Sequence, residues 1–250
     1  LDQISYDSGE FFMGKKPRIG WMPQTVDELN LPEDMNVHDF LRSGRPLPQI
    51  ESKITEIYQQ ISNGDTSAET LNLLGQYQNE FDSWDGYSAE SELDNMIIQM
   101  GIPPENLNKK LGELSGGQKS KISFIRTLYS RPNILFLDEP TNHLDAASRD
   151  WMMNYLIKTN ATVIFISHDE EFLNKVADKV LYMDTMSHTG TLYNFGYSKF
   201  IKTLAETNAS LERQFQKQME EKYPGRFRRN MEVIRKHYPK LFGLTAYDLP

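Results

Sequence analysis

The run Ile134-Leu135-Phe136-Leu137-Asp138-Glu139-Pro140 constrains this chain most. Four apolar residues in a row read as a strand buried on both faces. Two carboxylates follow at its carboxyl end, where open α/β sheets hold their ligands. About twenty residues upstream stands Leu114-Ser115-Gly116-Gly117-Gln118. A serine and two glycines open a segment in which Ile122, Ile125, Leu128 and Tyr129 recur at helical spacing. Glycine lets a backbone approach a ligand closely. A helix start offers unpaired N–H groups and the positive end of the dipole, which suits phosphate. Singly, Ser-Gly-Gly is commonly a turn, and an acidic pair is commonly a solvated strand end. The two together, in this order and at this spacing, carry more.

In that combination residues 112–145 resemble the ATP-binding cassette (ABC) ATPases. Leu114–Gln118 resembles their signature motif, Ile134–Glu139 their Walker B strand and Leu144-Asp145 their D-loop. Thr141-Asn142-His143-Leu144-Asp145 is similar to the ABC-F subfamily, which has no membrane domain and acts on ribosomes. The resemblance extends over roughly residues 1–210. It implies an α/β fold: a P-loop NTPase-like ABC core with a helical signature subdomain and a C-terminal helical extension. The boundaries it suggests are an ABC domain at 1–196, with the helical subdomain at about 37–130, and a linker at 197–250.

Roles follow from the same resemblance. Asp138 holds Mg²⁺, which favours carboxylates plus phosphate oxygens. Glu139 orients and polarises the attacking water, in a reaction governed by positioning and charge neutralisation. Gln24, after the strand-like Ile19-Gly20-Trp21-Met22, matches the Q-loop glutamine that reaches metal and water. His168, at the end of Thr162–Ser167, matches the switch histidine that senses the γ-phosphate. Ser115, Gly116, Gly117, Gln118 and Asp145 contact the nucleotide held by a second ABC domain. His143 marks the subfamily and has no catalytic role. The cofactors implied are ATP and Mg²⁺, and the activity is ATP hydrolysis. The partners are a second ABC domain, the ribosome and tRNA; the place is the cytoplasm. An ATPase subunit of a transporter and a degenerate, non-hydrolysing ABC module are the competing readings.

One expected string does not occur. Phosphate-binding loops of this class read G-x-x-x-x-G-K-[ST], and Gly14-Lys15-Lys16 lacks both the upstream glycine and the hydroxyl. The resemblance puts that loop just upstream of Leu1, with the aromatic residue that stacks on adenine. By itself the chain is then expected to bind ATP poorly and to hydrolyse it slowly or not at all.

Elsewhere the pattern is helical. Ile50, Ile54, Ile57, Tyr58 and Ile61 form one apolar face before a break at Asn63-Gly64-Asp65. Ala68–Phe81 carries Leu71, Leu74, Tyr77, Gln78 and Phe81 at helical spacing. Trp84-Asp85-Gly86-Tyr87 reads as a turn, and Ala89–Met100 as a third helix closed by Gly101 and Pro103-Pro104. The stretch Phe81–Glu92 resembles the arm region of ABC-F first domains. A helix from Trp151 to Lys158, a buried strand over Thr162–Asp169, and strands at Val180–Asp184 and Gly190–Phe195 follow.

Past Tyr197, with Leu204, Leu211, Phe215 and Met219 among charges, a long exposed helix is expected. Such a helix leads the ABC-F linker toward tRNA. Tyr223-Pro224-Gly225 breaks it, and Met231–Pro250 does not match the linker.

Composition sets limits. No apolar run approaches the roughly 18–20 residues that span a bilayer. Cysteine is absent, which excludes disulfides and thiolate-bound metal. A net charge of −8 argues against a uniformly nucleic-acid-coating protein. Between Leu211 and Lys240, however, nine Lys or Arg stand against four Glu, which on charge alone reads first as a solvated helix face and second as a segment that touches phosphate backbone. Arg226-Phe227-Arg228-Arg229-Asn230 sets an aromatic among those charges, a pattern suited to RNA.

Overall fold

A computed structural model describes residues 17–142, 144–184 and 187–222. The turns at Ser8–Glu10 and Lys15-Lys16, His143, and the basic stretch with the tail beyond Lys222 lie outside the described residues. The chain divides into two compact units, one ending at Asp169 and the other beginning at Glu170.

The first unit is built on three parallel strands, β1 (Ile19–Met22), β2 (Ile134–Asp138) and β3 (Thr162–Ile166), in the order β1-β2-β3. Register is continuous: Ile19 faces Ile134, and Ile134 faces Thr162. All three carboxyl ends therefore open at one edge of the sheet. Leu135 and Leu137 of β2 are buried, as an apolar run between two strands requires. β3 departs from expectation. Ile164 and Ile166 are 50% and 63% exposed, so β3 is covered on one face only. An apolar run does not reveal whether both of its faces are covered.

Among the described residues six α-helices belong to this unit: α1 (Val37–Arg42), α2 (Leu47–Ser62), α3 (Ala68–Ser83), α4 (Gly86–Gln99), α5 (Gly116–Tyr129) and α6 (Ala146–Lys158). Helix α5 packs against β1 on one side and against α1 and α4 on the other. It is the most buried helix, with Ile122, Ile125 and Leu128 inaccessible to solvent. Gly20 permits its close approach: a Cβ there would lie 2.9 Å from both Thr127 Cγ2 and Leu135 Cδ1. Helix α2 lies along α3 and buries Leu47, Ile50 and Ile57, whereas Tyr58 of the expected face is half exposed. On α3, Leu71 and Gln78 are exposed and Leu74 and Tyr77 partly covered, so its stripe is only half used.

Two helices start earlier than their apolar spacing predicts. Helix α4 begins at Gly86 inside the expected turn, after Asp85 with φ +50°. The Phe81 ring occupies the space a Cβ on Gly86 would take, 2.3 Å from Cζ. Helix α6 begins at Ala146 and not near Trp151, because the Asp145 carboxylate accepts the Ser148 N–H at 3.0 Å and caps it.

The second unit holds α7 (Glu170–Val176), an antiparallel hairpin of β4 (Val180–Asp184) and β5 (Thr189–Tyr193), and α8 (Tyr197–Lys222). Phe200 of α8 packs its ring against Tyr182 and Tyr193 of the hairpin. The start of the long helix and the hairpin lie in one unit. Among the described residues no helix is long and apolar enough to cross a membrane.

Candidate functional site

The carboxyl edge of the sheet gathers the residues the sequence singled out. Gln24 leaves β1, Asp138 ends β2 and Glu139 follows it. With Met22, Pro140, and Ser120 and Phe124 of α5 they line one small pocket. A larger cavity lies at the amino ends of the strands, beneath Arg18 and Arg131. Its arginines are engaged: Arg18 Nε donates to the Arg131 carbonyl at 2.9 Å, and Arg131 pairs with Asp85 and Glu92. Two helix C-termini, the negative dipole ends, flank that cavity. The chemistry therefore belongs at the carboxyl edge.

Glu139 is held tightly. Its φ is +45°, a conformation uncommon for a residue with a side chain. Its N–H donates to the Ile166 carbonyl at 2.9 Å, carrying the β2–β3 pairing one step past the strand. Oε2 accepts from the His168 N–H at 3.3 Å and from the Ser167 hydroxyl at 3.5 Å. Oε1 is buried and has no hydrogen-bond partner. His168 Nε2 stands 3.5 Å from it, within ion-pair reach but without hydrogen-bond geometry. A buried carboxylate oxygen left open in this way calls for a proton donor, a water or a cation. With Asp138 and Gln24 on the same pocket, the donor set suits an oxygen-seeking Mg²⁺ that keeps water and phosphate ligands. No group of three His, Cys, Asp or Glu side chains gathers among the described residues, so an all-protein metal cage is not what is offered.

The signature residues form a separate surface. Ser115 caps α5 through a reciprocal box: its hydroxyl accepts from the Gln118 N–H at 3.4 Å, and Gln118 Oε1 accepts from the Ser115 N–H at 3.0 Å. The box engages the Gln118 side chain and leaves Gly116 and Gly117 N–H in the first turn, beyond reach of any intrahelical carbonyl. A Cβ added to Gly116 would meet nothing within 4 Å, so a ligand has access to that backbone. Ser115–Gln118 do not line the Asp138–Glu139 pocket. The two half-sites are distinct places on this unit.

Asp145 lies beside α5, where Lys121 Nζ donates to its Oδ2, to the Ser148 hydroxyl and to the Met100 carbonyl. The Lys121 hydrogen bond first, then those from Ser148, hold its carboxyl far below the usual carboxylate range. Arg149, one turn into α6, donates to Asp169 Oδ2 at 3.0 Å, beside His168. Neither Lys121 nor Arg149 stood out in the sequence, since their partners lie 24 and 20 residues away. Only the position of Arg149 four residues after a helix cap was readable as a signal.

Residues 15–142 match the protein family described as ABC transporter. The chain is 30% identical over 207 residues to ABC transporter F family member 2 of Dictyostelium discoideum, covering 78% of this chain and 34% of that protein. It is 27% identical over 242 residues to the tylosin resistance ATP-binding protein TlrC of Streptomyces fradiae, covering 95% and 42%. It is 28% identical over 203 residues to the energy-dependent translational throttle protein EttA of Mycobacterium tuberculosis, covering 80% and 35%. The chain spans less than half the length of these curated relatives.

Proposed function

Since the chain belongs to the ATP-binding cassette family and counts ABC-F proteins among its relatives, we propose that it serves Mg-ATP binding and hydrolysis coupled to action on the ribosome. The observation that carries the proposal is the Glu139 carboxylate. It is buried, aligned by the 167–168 backbone and hydroxyl, and open at one oxygen beside Asp138 and Gln24.

In this reading Asp138 and Gln24 hold Mg²⁺, which neutralises charge on the transferring phosphoryl group. Glu139 orients and polarises the attacking water. His168, largely exposed and next to Glu139, reaches the γ-phosphate. Gly116 and Gly117 N–H and the Ser115 hydroxyl close over nucleotide held by a second ABC domain, with Asp145 beside them. The cassette spans residues 1–196 and the linker begins at 197. The names of the relatives, a translational throttle and a tylosin resistance protein, support translation or protection from an antibiotic as the setting. A cytoplasmic place of action and a linker approach to tRNA go with that setting.

The family description itself favours a second reading, the ATPase subunit of a transporter. Sedimentation separates the two. With Mg-ATP, Glu139→Gln protein pellets with ribosomes several-fold more than with Mg-ADP, and does not enrich on membranes. Enrichment on membranes, with none on ribosomes in either nucleotide, contradicts the proposal in favour of transport.

A further inference from the structure

Little besides side-chain contacts fixes the loop that carries His168. It follows β3, whose Ile164 and Ile166 are half exposed or more, so packing does not hold the loop from that face. The His168 ring is 76% exposed. Two anchors remain. On one side, Glu139 takes the Ser167 hydroxyl and the His168 N–H. On the other, Asp169 bonds Arg149 at 3.0 Å and turns its own N–H to the Ser167 hydroxyl at 3.1 Å. Asp169 is 19% and Arg149 32% exposed, which screens this pair less than a surface ion pair.

Arg149 sits in the first turn of α6, directly after the Asp145 cap. Its N–H donates to the Asp145 carbonyl at 2.9 Å, and the Asp145 side chain caps the same first turn. Helix α6 thus starts at the D-loop aspartate and, one turn later, grips the loop of the switch histidine. The contact runs from Arg149 Nη1 to Asp169 Oδ2, and the guanidinium keeps its charge at any working pH.

We infer that Arg149 is a positioning residue that sets His168 against Glu139 through Asp169, so that α6 links the D-loop rigidly to the γ-phosphate sensor. The inference rests on the nucleotide reading above for its catalytic consequence, though not for its geometry. Arg149 touches no reacting atom. Its effect reaches the chemistry through the backbone at 167–169, where a small displacement is costly to catalysis.

The test uses the protein with Arg149→Met, Arg149→Lys and, from the other partner, Asp169→Asn. Amide hydrogen exchange reads the loop whether or not nucleotide turns over. Arg149→Met and Asp169→Asn are expected to raise exchange at His168 and Asp169 about tenfold with the rest of the first unit unchanged. With Mg-ATP, kcat falls about tenfold while KM stays within about twofold, and Arg149→Lys recovers part of both losses. Unchanged exchange at residues 167–169 overturns the inference. So does faster exchange throughout the first unit with a lowered Tm, which marks a general stabilising role. Turnover is read on the protein with a G-x-x-x-x-G-K-[ST] segment from a relative placed ahead of Leu1; its absence there counts against the hydrolysis reading, and the exchange result still decides the role of Arg149.

Discussion

On the proposed nucleotide reading, and with a G-x-x-x-x-G-K-[ST] segment from a relative placed ahead of Leu1, Glu139→Gln lowers ATP turnover by on the order of 10²–10³-fold and leaves Mg-ATP binding within a few-fold. The amide keeps an oxygen for the His168 N–H and the Ser167 hydroxyl, so the 167–168 backbone stays in place. It removes the negative charge that polarises a water, and it puts a donor or an uncharged acceptor where Oε1 now stands open. Binding depends on other groups, chiefly those that hold phosphate. Loss of rate without loss of affinity is the signature of an interaction made in the transition state. Steady-state kinetics beside a nucleotide titration measures both. Turnover within about threefold of the unsubstituted protein means that another group handles the water.

Arg45→Ala destabilises the first unit by about 3–5 kcal/mol. The Arg45 side chain is fully buried and ties four segments together. It pairs with Glu92 of α4 at 2.6 Å, donates to the Tyr129 carbonyl at the end of α5 at 2.7 Å, and donates to the Trp84 carbonyl at 3.3 Å. Its guanidinium lies 4.1 Å from the centre of the Tyr129 ring. Truncation removes the donor to the Tyr129 and Trp84 carbonyls, the first of them in a buried contact, and leaves Glu92 to Arg131, at 2.8 Å. Urea unfolding followed by the fluorescence of Trp21, Trp84 and Trp151, all in the first unit, reports the loss. A loss below about 1 kcal/mol contradicts this role, since exposed ion pairs contribute that little. Arg45→Met, which fills the same space without the charge, loses less.

The strands and the capped helix were legible because their signals are local. Ile134–Leu137 is an apolar run too short for a helix, and Ser115-x-x-Gln118 is a capping box that announces the start of α5. The carboxylates at the strand ends were legible for the same reason. What the sequence hid depends on distant partners. The stretch Phe81–Glu92, read through the family as an arm, supplies in Trp84, Asp85 and Glu92 the partners of Arg45 and Arg131. The start of α6 was missed because Ala146-Ala147-Ser148 has no apolar period, and the signal was a cap on a residue read only as a D-loop. Neighbouring elements, not residue type, leave Ile164 and Ile166 of β3 in solvent. Arg149 and Lys121 carry no local signal, and only the fold brings Asp169 and Asp145 to them.

Titration calorimetry with Mg-ATP tests the central claim most directly, that this chain carries the carboxylate, Q-loop and signature parts of an ATP site whose phosphate grip needs a G-x-x-x-x-G-K-[ST] segment. The protein is measured as it stands, and again with such a segment from a relative placed ahead of Leu1. The account predicts at least about tenfold tighter binding, worth about 1.4 kcal/mol, with the added segment. Equally tight binding by both contradicts it, because residues other than those identified would then cradle the phosphates.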